Sequence, residues 1–282
     1  MTLEPSTTWV GDRSAQVILA FDFDGPTGDA MIDGSIWRRP GYFSFGAFDG
    51  LTAVPRILDI LRSHGVSATF FTPAWVVRTW PELCCRILAE GHEMAGHGDI
   101  HEMFWGKSRD DQAAILHTSQ QTFREILGQQ ALGFRAPSGD LAPETPELLL
   151  EYGYTYSSSF RGADAPYFHE HLPLVEVPAK SLFDDYSVFA YTRGPDFPGT
   201  LDRVAPYAAA FRSWREEIDA AADEGLTVAT IWHPKVMGTA GRAVVLDEFI
   251  GSLAARDDLR ILRADQVVAE FVRSNSEQVS AQ

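Results

Sequence analysis

Residues 17–30 read "VILAFDFDGPTGDA", an apolar run that ends in Asp22 and Asp24 and breaks at Gly25-Pro26. Side chains alternate along a strand with period two, so two acids one residue apart at its C-terminal end point the same way. Such a stretch is either a buried strand closing in an acidic turn or a pair of carboxylates aimed into one site. The surrounding pattern decides between them.

Strand-like and helix-like segments alternate along almost the whole chain. After "QVILAFDFD" comes a Gly-rich, aromatic segment over 25–50, read as a long loop. In "LTAVPRILDILRSHG" the residues Val54, Ile57, Leu58 and Leu61 fall at helical spacing, with Gly65 as the stop. "VSATFFTP" is strand-like, "TWPELCCRILAEG" helical with Pro81 near its start, and "HEMAGHG" a short strand. The helix of "DDQAAILHTSQQTFREILG" ends in Gly128. It is followed by "ALGFRAP" (strand), "ETPELLLEYG" (helix), "YTYSSSF" and "LVEVPAKSL" (strands), and "APYAAAFRSWREEIDAAADEG" (helix). "LTVATIWHP" and "LRIL" complete the strands, "VVLDEFIGSLAARD" and "ADQVVAEFVRS" the helices. Alternation of this kind implies parallel βαβ units, and roughly seven of them fit a closed or nearly closed barrel better than an open sheet. With no linker or repeat, the expectation is one domain over residues 1–273 and a flexible tail over 274–282.

Composition narrows the partners. The chain has 282 residues, 45% of them hydrophobic and 22% charged, with a formal net charge of −16. Phosphate backbones and anionic membrane surfaces would be repelled, so neither nucleic acid nor membrane is an expected partner. The acidity says little about small substrates, since a locally positive metal site can sit inside an acidic protein. Cys84 and Cys85 are neighbours in a predicted helix, about 100° apart, which suits neither a disulfide nor a shared metal. Both are read as core thiols of a reducing compartment. The N-terminal residues show no basic-then-apolar leader, and no window nears the ~18 apolar residues of a membrane span, so the expected location is cytoplasmic.

Asp22, Asp24, His97, Arg135 and His233 all fall at or just past the ends of predicted strands, the face on which catalytic groups of a βα barrel collect. His97 and His101 are spaced to put two imidazoles on one side of a helical turn or tight loop. With Asp24 they make a His₂Asp set that leaves positions open for water and substrate, the layout of a catalytic metal. Asp22 is then available as base, His233 as the acid for a leaving amine, and Arg135 as the group that keeps Asp22 ionised.

In these residues the chain resembles the NodB-homology polysaccharide deacetylases. "FDFDG" matches the first motif, "HGDIH" the His-x-x-x-His motif, "RAPSG" the Arg-x-Pro-x-Gly motif and "WHP" the late His motif. The resemblance runs from about residue 16 to 273. It implies an α/β fold, a distorted (β/α)7 TIM-like barrel, that hydrolyses amides at a divalent metal, zinc first and cobalt, manganese or nickel as alternatives. It further implies Asp22 as base, Asp24, His97 and His101 as ligands, Arg135 as tether of the base and His233 as acid. The chain is most similar to a cytoplasmic branch that holds peptidoglycan-deacetylase-like proteins, allantoinase-like enzymes and cyclic imide hydrolases. In that branch "VEVPAKSLFDDY" contains paired acids, here Asp184 and Asp185, and a homo-oligomer, up to a tetramer, is implied.

Two departures bear on substrate. Tyr156-Ser157-Ser158-Ser159 stands where many members have an Asp before a Ser pair; if that Asp orients the catalytic His, then either Asp184 or Asp185 does so here or His233 is less strongly tuned. Ser181 stands where a bulky aromatic is common and so suggests a reshaped pocket wall. Phe45, Trp105, Asp184 and Asp185 are the candidate substrate-binding residues. Trp37, Tyr42, Phe43 and Phe48 either line the cleft or pack the 25–50 segment onto the rim, and His169 and His171 are read as solvated loop residues. The expected function is hydrolysis of a small amide, cyclic imide or ureide, with N-acetylated sugar or peptidoglycan as the alternative substrate. From other classes, a non-catalytic metal- or ligand-binding barrel is a further alternative. A haloacid-dehalogenase-like phosphatase explains "DFDG" but leaves His97, His101, Arg135 and His233 idle.

Overall fold

A computed structural model describes residues 14–189 and 204–280. The opening residues 1–13, read as leaderless, lie outside them. Its strands are β1 (Ala15–Ile18), β2 (Ala20–Asp22), β3 (Thr69–Thr72), β4 (Glu93–Gly96), β5 (Gly133–Phe134), β6 (Tyr156–Ser157), β7 (Tyr167–Phe168), β8 (Val175–Glu176), β9 (Thr227–Ala229) and β10 (Leu259–Ile261). The pairs β2-β3-β4-β5-β6-β8 are all parallel, and β7 adds one antiparallel rung to β8. β1 lies between β9 and β10. Parallel bridges Phe21↔Trp232 and Asp184↔Ile231 close the ring, so β8 hands over to β9 through the 183–185 segment. The result is a distorted (β/α)7 barrel, with β10 wedged beside β1 at the bottom.

The opening strand shows how the sequence fills this barrel. Val17, Leu19, Phe21 and Phe23 pack outward among the helices, in one core with Ile57, Leu58 and Leu61. Ile18 and Ala20 turn inward, against Phe71, Ala95, Tyr156, Val175 and Ala229. The inward set continues as Asp22 and Asp24, so the period that builds the core carries both acids to the barrel mouth. The helix Ala264–Ser280 plugs the opposite end with Val267, Val268 and Phe271. It runs on to Ser280, so that most of 274–282 is helical. No helix among the described residues is long and apolar enough to cross a membrane.

Gly65 and Gly128 end their helices in the left-handed region, as their positions in the sequence predict. The 25–50 segment departs from expectation. It is a chain of short helices, Thr27–Ile32, Gly34–Arg38, Pro40–Phe48 and Asp49–Ala53, leading into Val54–His64. Aromatic residues on all sides of Pro40–Phe48 leave no one-sided apolar stripe to reveal it. Trp37 and Phe43 pack with Trp75, which meets Trp80, which stacks on Phe23 (ring centroids 5.2–6.5 Å apart), so these aromatics seat the segment on the rim. The approach is close enough that a Cβ on Gly46 would lie 2.3 Å from Pro26 Cα. Cys84 is buried, but Cys85, a third of a turn away, is exposed rather than in the core.

Candidate active site

Inward-facing residues one step beyond each strand converge on the mouth. Asp24 Oδ1 lies 3.5 Å from His97 Nε2 and 3.7 Å from His101 Nε2. Two ligands of one tetrahedral zinc, each ~2.0–2.1 Å from it, stand about 3.3–3.4 Å apart. Asp24 Oδ1 is buried without a hydrogen-bond partner, an orphan that a cation would satisfy. His97 Nδ1 donates to the Arg135 carbonyl at 2.6 Å, which fixes the tautomer and aims the Nε2 lone pair at Asp24. Burial pushes His97 and His101 down to about 4, so both imidazoles are neutral and able to ligate. This donor set fits a divalent metal.

The histidine motif is a tight loop, not a helical turn. Gly98 and His101 are both left-handed, φ +80° and +64°. Glu102 Oε2 accepts the amides of Asp99 and Ile100, and the Gly98 and Asp99 carbonyls accept from Ala74 and Trp75. Room for the Asp24 carboxylate comes from Gly28, where a Cβ would lie 2.7 Å from Oδ2.

Asp22 is buried and paired with Arg135, whose NH1 lies 2.6 Å from Oδ1. Arg135 is locked in turn by the Ser158 carbonyl and hydroxyl, both at 3.0 Å, and lies 4.0 Å over the Phe71 ring. Burial alone would raise the Asp22 carboxyl. The charges of Arg135 and His233, with the Arg135 hydrogen bond, outweigh it and hold Asp22 below its ordinary value. His233 sits beyond β9 with Nε2 3.8 Å from Asp24 Oδ2. Its Nδ1 meets Asp185 Oδ1 at 2.7 Å, and its amide donates to Asp185 Oδ2 at 2.7 Å. Burial would lower the imidazole, but Asp185, with Asp24 and Asp22 behind it, raises it to about 10.

The site opens into a cleft lined in part by Met31, Ile32, Ser138, Arg161, Asp184 and Tyr186. A family model described as polysaccharide deacetylase matches residues 42–157. A solved Mycobacterium smegmatis protein assigned to the polysaccharide deacetylases is 33% identical, with a TM-score of 0.88 over 96% of this chain and 94% of that one. The chain belongs to the polysaccharide deacetylase family. Members are hydrolases of carbon–nitrogen bonds other than peptide bonds, and this chain is one of them. A peptidoglycan deacetylase of Helicobacter pylori is 23% identical over 265 residues, 84% of this chain and 89% of that protein. An allantoinase of known structure shares the fold, with a TM-score of 0.79 and 16% identity, over 93% of this chain and 92% of that one.

In this family member the structure brings together Asp22, Asp24, His97, His101, Arg135 and His233, all named from the sequence. It moves others. Asp185 is not at the substrate surface, because both its oxygens are taken by His233; Asp184 alone of the pair lines the cleft. Phe45 lies outside the lining, half exposed, with its ring 5.8 Å from Lys235 Nζ. Trp105 lines an adjoining hollow that meets the cleft at Met31 and His101. Ser181 starts a one-turn helix and does not shape the wall. His171 is exposed as expected, whereas His169 is buried and bonded to Glu176 at 2.8 Å, since the β7–β8 hairpin folds it inward. Sequence reasoning passed over Ser158, Tyr186, Lys235 and Asp29. Lys235, two residues beyond His233, is buried with Nζ 2.8 Å from Asp29 Oδ2, and a lysine so close to a site histidine was the available signal.

Proposed function

We propose that this cleft hydrolyses an amide-type carbon–nitrogen bond with a divalent metal, zinc in the first instance, held by Asp24, His97 and His101. When bound, the metal supplies Lewis acidity to the scissile carbonyl and acidity to water. Asp22 takes a proton from the attacking water at Oδ2, the oxygen that Arg135 NH1 leaves free. His233, kept protonated by Asp185, gives a proton from Nε2 to the leaving nitrogen. What carries the reading is the coincidence in one cleft of an orphaned ligand oxygen, a charge-held base and a charge-held acid. We assign all of it to one domain over residues 1–273.

The substrate we propose is compact: a small amide, cyclic imide or ureide. Supporting this, the cleft walls touch where Ser138 Oγ meets Met31 Sδ at 3.8 Å, a contact that a polymer crossing there would have to part. The second reading, an N-acetylated sugar or peptidoglycan, has the near full-length match to the Helicobacter pylori peptidoglycan deacetylase in its favour. Assay of the zinc-loaded protein on cyclic imides, ureides and N-acetylated chito-oligomers, with products followed by mass, separates the two. Ring opening supports the first and acetate release the second. Silence on all three would leave a barrel that binds without turnover.

The role of Asp185 has its own test. A general acid is lost as pH rises through its pKa, and Asp185 is what raises that of His233. Asp185→Asn should therefore draw the alkaline limb of kcat/KM down toward the ordinary imidazole value of ~6.5, while the acidic limb stays in place. A pH–rate profile with an unmoved alkaline limb would refute the assignment.

A further inference from the structure

Arg161 is the one cation of the cleft lining that the proposed chemistry and the ion pairs of the described residues both leave over, as Asp184 is the one such anion. It lies exposed in the wall with Ser138 and Gly139, and no carboxylate of the described residues stands within ion-pairing distance of it. Its place is nevertheless built. NH1 donates to the Gly139 carbonyl and NH2 to the Ser138 carbonyl, both at 3.1 Å. The turn that offers these two oxygens needs left-handed backbone at both residues, φ +62° at Ser138 and +66° at Gly139. At Ser138, a residue with a Cβ, this costs about 1–2 kcal/mol. A Cβ at Gly139 would lie 2.1 Å from Arg161 NH2, so the guanidinium rests directly on the glycine. A guanidinium has five N–H donors in a fixed fork, and this turn engages two of its nitrogens.

The charges around it point to what the remaining donors receive. Asp22 is matched by Arg135, Asp29 by Lys235 and Asp185 by His233. The Asp184 carboxyl is pushed up by burial, and its Oδ1 accepts the Tyr186 amide. A divalent ion on Asp24 offsets the remaining Asp184 carboxyl, so that Arg161 leaves the lining with a positive excess although the chain as a whole carries −16. We infer that Arg161 receives a carboxylate of the substrate, so that the preferred compound carries an anionic group beside its scissile amide. This rests on the reading above that the cleft holds the substrate. A carboxylated imide and a carboxylated N-acetylated sugar offer the same group.

The test compares kcat/KM on a carboxylated cyclic imide and on N-acetylmuramic acid, each against its neutral carboxamide, for the wild type, Arg161→Gln and Arg161→Lys. A charge-assisted pair predicts a preference for the acid of about 10–100-fold, expressed in KM. It should collapse in Arg161→Gln and be partly kept in Arg161→Lys, with metal content unchanged as proof of folding. The pair that shows the preference identifies the source of the carboxylate. A wild type indifferent to the carboxylate, or an Arg161→Gln that keeps the preference, overturns the inference. If the zinc-loaded protein turns over no amide, the proposed function fails on its own. Calorimetry then still decides for Arg161: glutaramate, with one carboxylate, should bind the wild type at least about 10-fold tighter than the neutral diamide glutaramide, and Arg161→Gln should lose the difference.

Discussion

Asp22→Asn is expected to lower kcat on any accepted amide by about 10²–10⁴-fold while leaving one equivalent of metal bound. Asparagine keeps the shape of the side chain and an oxygen for Arg135 NH1, so the geometry around Asp24, His97 and His101 should persist. What is lost is the charge that accepts a proton. The same change leaves the buried Arg135 guanidinium facing no anion, and breaking a buried pair in this way costs about 3–5 kcal/mol. The variant should therefore unfold at lower denaturant as well as turn over more slowly. Kinetics and metal content measured on the same preparation separate the two effects. The pH dependence follows from the direction of the shift. Because the Asp22 carboxyl is held low in the folded chain, the stabilisation it brings is complete above its unfolded value. That stabilisation is lost, with activity, only as pH falls through the lower folded value. A wild-type acidic limb rising into the neutral range would contradict this.

Asp24→Asn is expected to act on the metal instead. Removing the only anionic ligand should weaken zinc binding by more than about 100-fold, a larger loss than outer partners of a metal ligand produce, and activity should go with it. Zinc at ~1,000 times its Kd stabilises the native chain by about 4 kcal/mol, and the variant should lose that increment. Without metal the order should reverse. Asp24 Oδ1 is buried and unpartnered, and burial pushes the carboxyl up, so the metal-free wild type carries an unfavourable group that the neutral amide relieves. Metal-free Asp24→Asn should thus be no less stable than metal-free wild type. Calorimetric unfolding of both proteins, with zinc and with chelator, reads all four states.

Much of this site is legible in the chain because a single rule writes it. Period-two alternation carries Ile18, Ala20, Asp22 and Asp24 along one face, and the same inward phase brings up His97 after Ala95 and His233 after Ala229 and Ile231. Once the strands are recognised, their ends must meet. Groups supplied by irregular backbone escape that rule. Asp185 reaches His233 because the 183–185 segment pairs with Ile231 to close the barrel, a bridge no local pattern announces. From the sequence it was equally a substrate contact. Aromatic character alone makes Phe45 and Trp105 candidates for the cleft, yet which way a rim aromatic faces is set by tertiary packing that no local pattern shows. Lys235 and Asp29 are 206 residues apart, and only tertiary packing makes their ion pair.

The central claim is that hydrolysis depends on one metal ion held by Asp24, His97 and His101. Turnover of an accepted amide should be followed while chelator-treated protein is titrated with zinc. The rate should start near zero, rise linearly and level off at one zinc per chain. Hydrolysis that persists in the chelated protein, or one tightly bound zinc with no turnover of imide, ureide or N-acetylated sugar, would contradict it.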